Sequence, residues 1–475
     1  MEPGRCVVLY AGFGLGHLTP MVELAKLFLR RGLSATIAVP TTPGSQSATA
    51  FAGAPTVASL AAANPAISFH LFPPPHYPNP DPTPFARMLD MLRLCAPSLR
   101  ELLRSLPSVA ALVVDVFCAH AVEVAAELRV PAYIYCTSSA SAFASFLHLP
   151  HYFSKTVKSL GDMGKEELLH FPGLPPIPAS DMPSTLRNRE DRNYKVRAEL
   201  YARVAHASGV LVNTFEWLEA RAVKAFREGA CTPDRPAPPI YCVGPLVAAD
   251  ASVEADRSER HPCLSWLDAQ PDRGVVFLCF GSVGAVSAPQ LRETARGLES
   301  SGHRFLWVVR SPPGPRKFFE PRSDSEPDLA EKLLPDGFLE RTRGRGLVVL
   351  SWAPQVEVLP NKATGAFVTH CGWNSTLEGV AAGVPLLCWP QFAEQSLNKV
   401  FIVEEMKVGV VVEGYDEELV CAEEVEAKVV LESEEGERLR ERLTLAKEKA
   451  AEALMDGGPS RLAFDELLEN LAGSK

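Results

Sequence analysis

Residues 352–395 read WAPQVEVLPNKATGAFVTHCGWNSTLEGVAAGVPLLCWPQFAEQ. Within this stretch the apolar run at residues 366–369 predicts a short buried strand, and HCGWNS at residues 370–375 ends that strand and starts a helix. A helix N-terminus offers unpaired N–H groups and the positive end of a dipole, so anions bind there readily. The segment therefore predicts an α/β fold with a phosphate-binding turn at residues 370–375.

Three side chains at this turn suit the phosphates and the ribose of a nucleotide. His370 and Ser375 can donate hydrogen bonds to phosphate oxygens, and Gly372 lets the backbone approach closely. Glu378 lies one helical turn further on, where its carboxylate can accept hydrogen bonds from the two ribose hydroxyls. These residue types in this order favour a nucleotide site over an ordinary strand–helix turn.

Both ends of the segment add groups for the rest of such a ligand. Trp352 offers a flat aromatic face on which a uracil can stack, and the amide of Gln355 lies three residues away. Glu394 and Gln395 begin the next predicted helix and can form hydrogen bonds with sugar hydroxyls. The ligand that fits the whole segment is a nucleotide sugar.

The rest of the chain alternates short apolar runs with helical stretches, which predicts parallel sheets covered by helices on both faces. A proline-rich stretch at residues 233–250 predicts a linker between two such halves. The first helix is expected to have Thr19 as its N-cap and Pro20 as its first residue. Predicted strands cover residues 6–10, 34–39, 109–114, 132–136, 274–280, 305–309, 347–350, 366–369 and 386–388, and a further helix covers residues 288–300.

The first strand leads into GFGLGH at residues 12–17, a glycine loop that a dinucleotide-binding protein could also carry. That fingerprint needs a third glycine where His17 stands, and an acidic residue about 20 positions further on. No Asp or Glu occurs between Glu23 and Asp81. Both differences argue against an NAD(P)-dependent oxidoreductase.

His17 instead suits a general base, because the ordinary pKa of a histidine lies near neutrality. Asp115 ends the apolar run ALVVD, at the carboxyl end of a predicted strand. If it faces His17, its carboxylate can accept the imidazole N–H as the acid of a Ser-His-Asp triad does. A backbone-satisfied histidine and a helix-capping aspartate remain the alternatives at these two positions.

Composition narrows the class of protein. The net charge is −10 and the pI is about 5.7, which argues against a nucleic-acid partner, since such proteins need a basic surface. The eleven cysteines include no C-x-x-C pair, which favours reduced thiols over disulfides or a structural metal site. No run reaches the ~18 apolar residues of a membrane span. We therefore expect a cytoplasmic protein without a membrane span. A monomer is also expected, but the sequence does not determine the oligomeric state.

Taken as a whole, the segment resembles the plant secondary-product glycosyltransferase signature of the family 1 UDP-glycosyltransferases. The residues that match the signature at its spacing are WAPQ, HCGWNS, the Glu three residues later, G-x-P and the closing acid–Gln pair. Elsewhere in the chain the family is also matched by GLGH, YCVGPL and FGS. The flavonoid- and phenol-glucosylating branch is the most similar. The resemblance implies a GT-B architecture of two facing, doubly wound Rossmann-like domains. The first domain, residues 1–245, is expected to bind the acceptor, and the second domain, residues 246–457, is expected to bind the UDP-sugar. A C-terminal helix at residues 458–475 is expected to return and pack on the first domain.

The resemblance implies the donor-site roles given above and adds further positions. Gln395 at the end of the signature implies glucose, whereas a histidine there points towards galactose. No D-x-D motif occurs, which agrees with a metal-independent transfer, so UDP-glucose is the expected co-substrate and no cofactor is expected. One departure is Asn361, where the family usually has a histidine. The added donor-site residues are Ala353, Trp373, Asn374, Ser282 and Thr137, the last two near the phosphate and the sugar.

The implied reaction is a single inverting displacement that gives a β-glucoside. His17, held by Asp115, removes the acceptor proton, and UDP leaves beside the helix at Asn374. Transfer to a carbon atom of an activated phenolic ring stays open, and a non-catalytic sugar-nucleotide binder is less compatible with intact His17 and Asp115. The aromatic residues expected to line a pocket for a phenolic, flavonoid-like acceptor are Phe13, Phe117, Phe143 and Phe146.

Overall fold

The chain forms two compact units, each with its own parallel sheet. The structure is a computed structural model that describes residues 5–41, 56–78, 80–248, 260–312, 329–429 and 434–473. Of these, the residues up to 248 and those from 452 onwards form the first unit, and residues 260–451 form the second. No helix in the described ranges is long and apolar enough to cross a membrane.

The first unit is built on seven parallel strands in the order β3-β2-β1-β4-β5-β8-β9. Every residue of β1 and β5 is buried, as expected for strands covered on both faces. A short antiparallel pair, β6 with β7, lies outside this sheet. The strands are β1 (Cys6–Tyr10), β2 (Ser34–Pro40), β3 (Ile67–Phe72), β4 (Val109–Asp115), β5 (Ala132–Cys136), β6 (Leu168–Leu169), β7 (Ile177–Pro178), β8 (Gly209–Val212) and β9 (Ile240–Cys242).

Helices connect these strands and cover the sheet with their apolar faces, as the parallel connections require. They are α1 (Leu15–Arg30), α2 (Val57–Ala63), α3 (Pro84–Leu94), α4 (Ala96–Ser105), α5 (Ala121–Glu127), α6 (Ala140–Lys155), α7 (Arg192–Ala202) and α8 (Ala220–Arg227). The helix α1 buries Leu18, Met21 and Val22 against the sheet.

The second unit repeats the same plan with six parallel strands in the order β12-β11-β10-β13-β14-β15. Its strands are β10 (Val275–Cys279), β11 (Arg304–Val309), β12 (Gly346–Leu350), β13 (Thr364–Thr369), β14 (Leu386–Cys388) and β15 (Gly409–Val411). Its helices are α9 (Pro262–Asp268), α10 (Ala288–Ser300), α11 (Leu329–Leu333), α12 (Phe338–Arg341), α13 (Gln355–Val358), α14 (Trp373–Ala382), α15 (Gln395–Val400), α16 (Ala422–Lys428) and α17 (Glu434–Leu454), with a π-helical turn at Phe401–Met406.

The last helix, α18 (Pro459–Gly473), packs on the first unit. The ring of Phe464 lies 5.0 Å from that of Phe28 on α1, and Ser460 donates a 2.6 Å hydrogen bond to the carbonyl of Gly244. Apolar burial and a satisfied backbone carbonyl therefore both hold the C-terminal segment on the first unit.

Each sheet has a point at which its strand order reverses, between β1 and β4 in the first unit and between β10 and β13 in the second. Loops that leave the carboxyl ends of two such strands run in opposite directions and leave room for a ligand. His17 follows β1 and Asp115 is the last residue of β4. In the second unit, Ser282 follows β10 and His370 follows β13. The topology thus places the candidate residues at the two positions where an α/β sheet binds ligands.

The predicted pair of Rossmann-like sheets is confirmed, and each predicted strand is present to within two residues at either end. The predicted helix at residues 288–300 is α10. Sequence reasoning missed β3, β8 and β15, which are short or carry exposed polar residues.

Two local predictions are wrong. The first helix begins at Leu15, with Gly14 at the N-cap and Pro20 inside the helix, because the buried apolar face of α1 outweighs the single backbone bond that a proline cannot donate. His17 therefore belongs to the first helical turn. The stretch predicted as a linker contains β9, whose residues Ile240–Cys242 pair with β8 and so satisfy their backbone groups in the sheet.

Candidate active-site residues

A histidine–carboxylate pair lies at the carboxyl edge of the first sheet. Nδ1 of His17 is 2.7 Å from Oδ2 of Asp115, which is completely buried, whereas the His17 side chain keeps 24% of its surface exposed. The other carboxylate oxygen, Oδ1, accepts a 2.8 Å hydrogen bond from the backbone N–H of Phe117. Asp115 therefore caps the turn that follows β4 and also binds the histidine. The two interpretations of Asp115 drawn from the sequence, a helix cap and a partner of His17, are both correct for the contacts seen here.

Local backbone geometry brings this pair together. His17 sits in the first turn of α1, and its N–H bonds to the carbonyl of Gly14. Asp115 is the last residue of β4, the neighbour of β1 in the sheet. A Cβ at Gly12 would come within 2.9 Å of Oδ1 of Asp115, so a glycine is needed where the loop crosses the carboxylate.

The arrangement fixes which nitrogen of His17 can act as a base. A carboxylate only accepts hydrogen bonds, so Nδ1 must carry the proton that faces Asp115. The basic lone pair is then on Nε2, and the buried carboxylate stabilises the imidazolium that forms when Nε2 takes a proton. This pair can therefore deprotonate a hydroxyl placed near Nε2.

Thr137 contacts the same imidazole. Its Oγ1 lies 3.1 Å from Nδ1 of His17, and the residue is 93% buried just beyond the end of β5. The family resemblance implies that Thr137 lies near the donor phosphate and sugar, and that role stays a prediction. The contact with His17 was missed because it depends on β5 lying beside β4, which residue spacing does not reveal.

An aromatic wall extends from the histidine along the first unit. The Phe117 ring centroid lies 5.0 Å from that of His17, and Phe85 contacts Phe117 edge-on at 5.6 Å. The guanidinium of Arg197 covers the Phe85 ring at 4.2 Å. Phe117 and Phe13 are both half-buried, so they keep surface for a ligand, and Phe85 and Arg197 are members of this wall that sequence reasoning missed.

The other two aromatic candidates belong to the packed interior. Phe143 is 1% exposed and stacks on Phe226 at 5.9 Å, and Phe146, 5% exposed, packs on Tyr201 at 5.5 Å. Side chains enclosed in this way have almost no surface to offer an acceptor. Both residues are buried because α6 packs between α7 and α8, although the guanidinium of Arg197 also covers the Phe146 ring at 5.5 Å. That Phe143 and Phe146 line the acceptor pocket stays a prediction.

The phosphate-turn histidine of the second unit is tightly enclosed. His370 follows β13, and a Cβ at either Gly281 or Gly372 would overlap its Nε2. Burial, together with the nearby guanidinium of Arg310, lowers the pKa of His370 to about 4, so the imidazole is neutral at physiological pH. Its Nδ1 is buried and has no hydrogen-bond partner within the described part of the chain. A neutral ring with an unsatisfied buried nitrogen suits a polar ligand at this position.

A hydrogen-bond network joins the next three candidates. The amide nitrogen of Gln355 donates to Oγ of Ser375, at 2.9 Å, and to Oε2 of Glu378. Burial raises the pKa of Glu378 to about 7, although the bond from Gln355 opposes the shift. Gln355 thus orients the carboxylate that the sequence assigns to the ribose, a role that its spacing did not suggest.

The remaining donor-site candidates surround this network at the carboxyl edge of the second sheet. Trp352 is half-buried and meets His261 edge-on at 6.0 Å, which leaves part of its ring exposed. Ala353 and Trp373 are buried, whereas Asn374, in the first turn of α14, and Ser282, after β10, are half-buried. The half-buried residues Trp352, Asn374 and Ser282 keep enough surface for the predicted ligand contacts. The burial of Ala353 and Trp373 is compatible with a packing role.

The acid–glutamine pair begins α15 as predicted. Glu394 is half-buried at the N-cap position, and Gln395 is the first helical residue. Oε1 of Gln395 accepts hydrogen bonds of 2.9 Å from the backbone N–H groups of Gln391 and Phe392. Since its oxygen is engaged, the amide nitrogen is the atom of Gln395 that can meet a sugar hydroxyl.

The chain is similar to known proteins along nearly its whole length. A family model described as UDP-glucoronosyl and UDP-glucosyl transferase matches residues 236–426. The chain is 42% identical to an anthocyanidin 5,3-O-glucosyltransferase of a Rosa hybrid cultivar, over 98% of both chains. It is also 42% identical to a phloretin 2'-O-glucosyltransferase of Malus domestica, over 96% of this chain and 97% of that one. The chain belongs to the UDP-glycosyltransferase family.

A solved structure of the same kind extends the likeness to three dimensions. UGT2 of Phytolacca americana, complexed with UDP-2fluoro-glucose and pterostilbene, matches with a TM-score of 0.83 and 34% identity, over 98% of this chain and 100% of that chain. The present chain therefore shares both its sequence and its fold with known UDP-glycosyltransferases along nearly its whole length.

Asn361, where a UDP-glycosyltransferase of this kind usually has a histidine, has a structural role here. Its Nδ2 donates to Oδ1 of Asp268 at the end of α9, at 2.9 Å, and its own Oδ1 accepts from the N–H of Ala363, at 3.0 Å. The residue therefore braces the turn between α13 and β13, and neither of these two contacts involves a donor-site candidate.

Proposed function

We propose that this UDP-glycosyltransferase transfers glucose from UDP-glucose to a hydroxyl group of a small phenolic, flavonoid-like acceptor. The observation that carries the proposal is the 2.7 Å contact between Nδ1 of His17 and the buried carboxylate of Asp115. A histidine held in this way is a general base for a hydroxyl group. A protein that only binds sugar nucleotides has no need of such a pair.

The reaction is a single displacement. Nε2 of His17 takes the acceptor proton as the acceptor oxygen forms a bond to C1 of glucose, and the bond from C1 to the diphosphate oxygen breaks. The electron pair of that bond leaves with UDP, and the proton remains on the imidazolium beside Asp115. Attack opposite the leaving group converts the α-linked donor into a β-glucoside.

The second unit holds the donor in this proposal. Asn374, Ser375 and the backbone N–H groups at the start of α14 bind the diphosphate, with His370 and Ser282 beside them. Glu378, oriented by Gln355, accepts from the ribose hydroxyls. The base and the sugar are bound by the remaining candidates of this unit that keep polar or exposed surface, which are Trp352, Glu394 and Gln395.

The choice of sugar and acceptor is supported by the relatives. Both curated relatives named above are glucosyltransferases, of an anthocyanidin and of phloretin, and Gln395 ends the signature as in glucosyltransferases. The half-buried rings of Phe13 and Phe117 beside the base suit an aromatic acceptor.

We also propose that the protein acts as a monomer in the cytoplasm. The eleven cysteines are all free thiols, ten of them buried, which suits a reducing compartment.

The test is release of UDP together with the mass of the product, using UDP-glucose and a panel of flavonoids and simple phenols. We expect an acceptor-dependent gain of one hexose that is lost in His17→Ala. His151→Ala is the matched control, because Nδ1 of His151 pairs with Asp234 at 2.6 Å in a histidine–carboxylate pair that the reaction does not use. Undiminished turnover in His17→Ala would overturn the base assignment. A product that resists acid hydrolysis would show that the sugar is attached to carbon.

A further inference from the structure

A buried arginine ties together the strand ends of the second sheet. Arg310 follows β11 and is 5% exposed. Its Nε donates to the carbonyl of Ser351, after β12, at 2.8 Å. One terminal nitrogen donates to the carbonyls of Gly281 and Gly284, after β10. The guanidinium therefore bridges the loops that leave the neighbours of β11 on both sides.

The loop held by Arg310 lies against the phosphate-turn histidine. Gly281 packs so closely on His370 that a Cβ there would overlap Nε2, and Gly372, just ahead of α14, packs on the same ring. Burial is the main cause of the lowered pKa of His370, and the nearby guanidinium of Arg310 lowers it further. A fixed cation thus lies behind the turn assigned to the diphosphate.

We infer that Arg310 supplies the buried positive charge that stabilises the diphosphate of the donor and of the departing UDP, while its fork positions the loop at residues 281–284. This inference rests on the proposed function, because it takes the turn at residues 370–375 as the diphosphate site. Arg310 acts through the loops and through its field, so it is a positioning residue.

The charge balance of the site favours this role. A neutral His370 can form a hydrogen bond to a phosphate oxygen but adds no charge, and a helix N-terminus contributes only about half an elementary charge. A guanidinium inside the protein interacts more strongly with an anion than the same group would in water. Only an arginine fork can donate from separate nitrogens to carbonyls on both sides, so a lysine would keep the charge and lose part of the clamp.

The chain offers a matched control at the other end of β12. Arg345, just before that strand, donates to the carbonyls of Leu298, His303 and Glu299 at 3.1, 3.0 and 2.7 Å. It thus makes the same kind of backbone clamp with the same charge, but at the amino edge of the sheet. Removing Arg345 tests the loss of a clamp and a cation without the proposed diphosphate.

The experiment compares inhibition of glucosyl transfer by UDP and by uridine, which lacks the phosphates, in the wild type, Arg310→Met, Arg310→Lys and Arg345→Met. We expect Arg310→Met to weaken UDP inhibition about tenfold or more, a loss of ~1.4 kcal/mol, and uridine inhibition less than about threefold. Arg310→Lys should keep most of the selectivity for UDP over uridine, and Arg345→Met should keep all of it.

The outcomes separate the inference from the function on which it rests. If wild-type protein neither transfers glucose nor binds UDP, the proposed function fails. If the wild type binds UDP but Arg310→Met weakens UDP and uridine equally, the arginine only maintains the loops and the inference is overturned. Should Arg310→Met fail to fold, Arg310→Gln decides, because it removes the charge and keeps an N–H donor for the loop carbonyls: a larger loss for UDP than for uridine supports the inference, and equal losses for both inhibitors contradict it.

Discussion

Oγ1 of Thr137 lies 3.1 Å from Nδ1 of His17, the ring nitrogen that also faces Asp115 at 2.7 Å. Since the proton on Nδ1 is donated to the carboxylate, the threonine oxygen can accept only a share of it. The imidazole is thus held from two sides at one nitrogen, and Nε2 is left as the basic atom. The three residues lie at the carboxyl ends of β1, β4 and β5, which are neighbours in the sheet: His17 and Thr137 follow β1 and β5, and Asp115 ends β4.

Replacing Thr137 by Val removes this hydroxyl and keeps the shape of the side chain. We expect kcat for glucosyl transfer to fall about 3- to 10-fold, the loss of one hydrogen bond of ordinary strength, and Thr137→Ser to stay close to wild type. Steady-state kinetics with both substrates check this. A rise in KM for UDP-glucose at unchanged kcat would show instead that Thr137 serves the donor sugar.

Asp115→Asn tests the carboxylate without altering its size. An amide can still occupy the cap, but it cannot stabilise an imidazolium and allows the wrong tautomer of His17. We expect kcat to fall by at least ~100-fold, while UDP affinity stays within about twofold because the donor residues are untouched. Turnover within a few-fold of wild type would contradict the pair as the reacting unit. Circular dichroism confirms that the variant is folded.

The affinity for UDP-glucose should depend on pH through Glu378. Burial raises the pKa of Glu378 to about 7. In the proposed donor site the ribose hydroxyls donate to the ionised form of this carboxylate. Affinity should therefore rise with pH through 7, by roughly tenfold between about pH 6 and about pH 8, and then level off. His370, with a pKa of about 4, does not titrate in this window.

Calorimetric titration with UDP-glucose at both pH values measures this effect. The diphosphate of UDP-glucose is a diester, so it does not titrate in this pH range, whereas the terminal phosphate of free UDP does. Glu378→Gln should bind more weakly at high pH and lose most of the pH dependence. If the Gln variant keeps the wild-type slope, another group is responsible.

Phe117 and Phe143 should separate function from stability. Phe117 is half-buried against His17, so Phe117→Ala should raise the acceptor KM several-fold with a small change in the melting temperature. Phe143 is 1% exposed, so Phe143→Ala should reduce the free energy of unfolding by about 3–5 kcal/mol. Thermal unfolding and acceptor kinetics on both variants check this. An unchanged acceptor KM in Phe117→Ala would remove that ring from the acceptor site.

Much of the fold was readable from the sequence because its signals are local. Buried parallel strands are short apolar runs, such as Ala132–Cys136, which stand out between helical stretches. The prediction failed at Pro20, where burial of a whole helical face overrides one lost backbone bond, and at Ile240–Cys242, where a partner strand makes a sheet strand out of a proline-flanked run.

For the candidate site, the sequence by itself determined the residues that have fixed spacing from one another, such as His370, Ser375 and Glu378 around a single strand–helix turn. Only the tertiary structure decided which residues meet across strands. Thr137 on His17, Gln355 on Glu378 and Arg310 behind His370 each join segments that the order of the strands brings together. Strand order is set by packing among distant segments, so no local pattern records it.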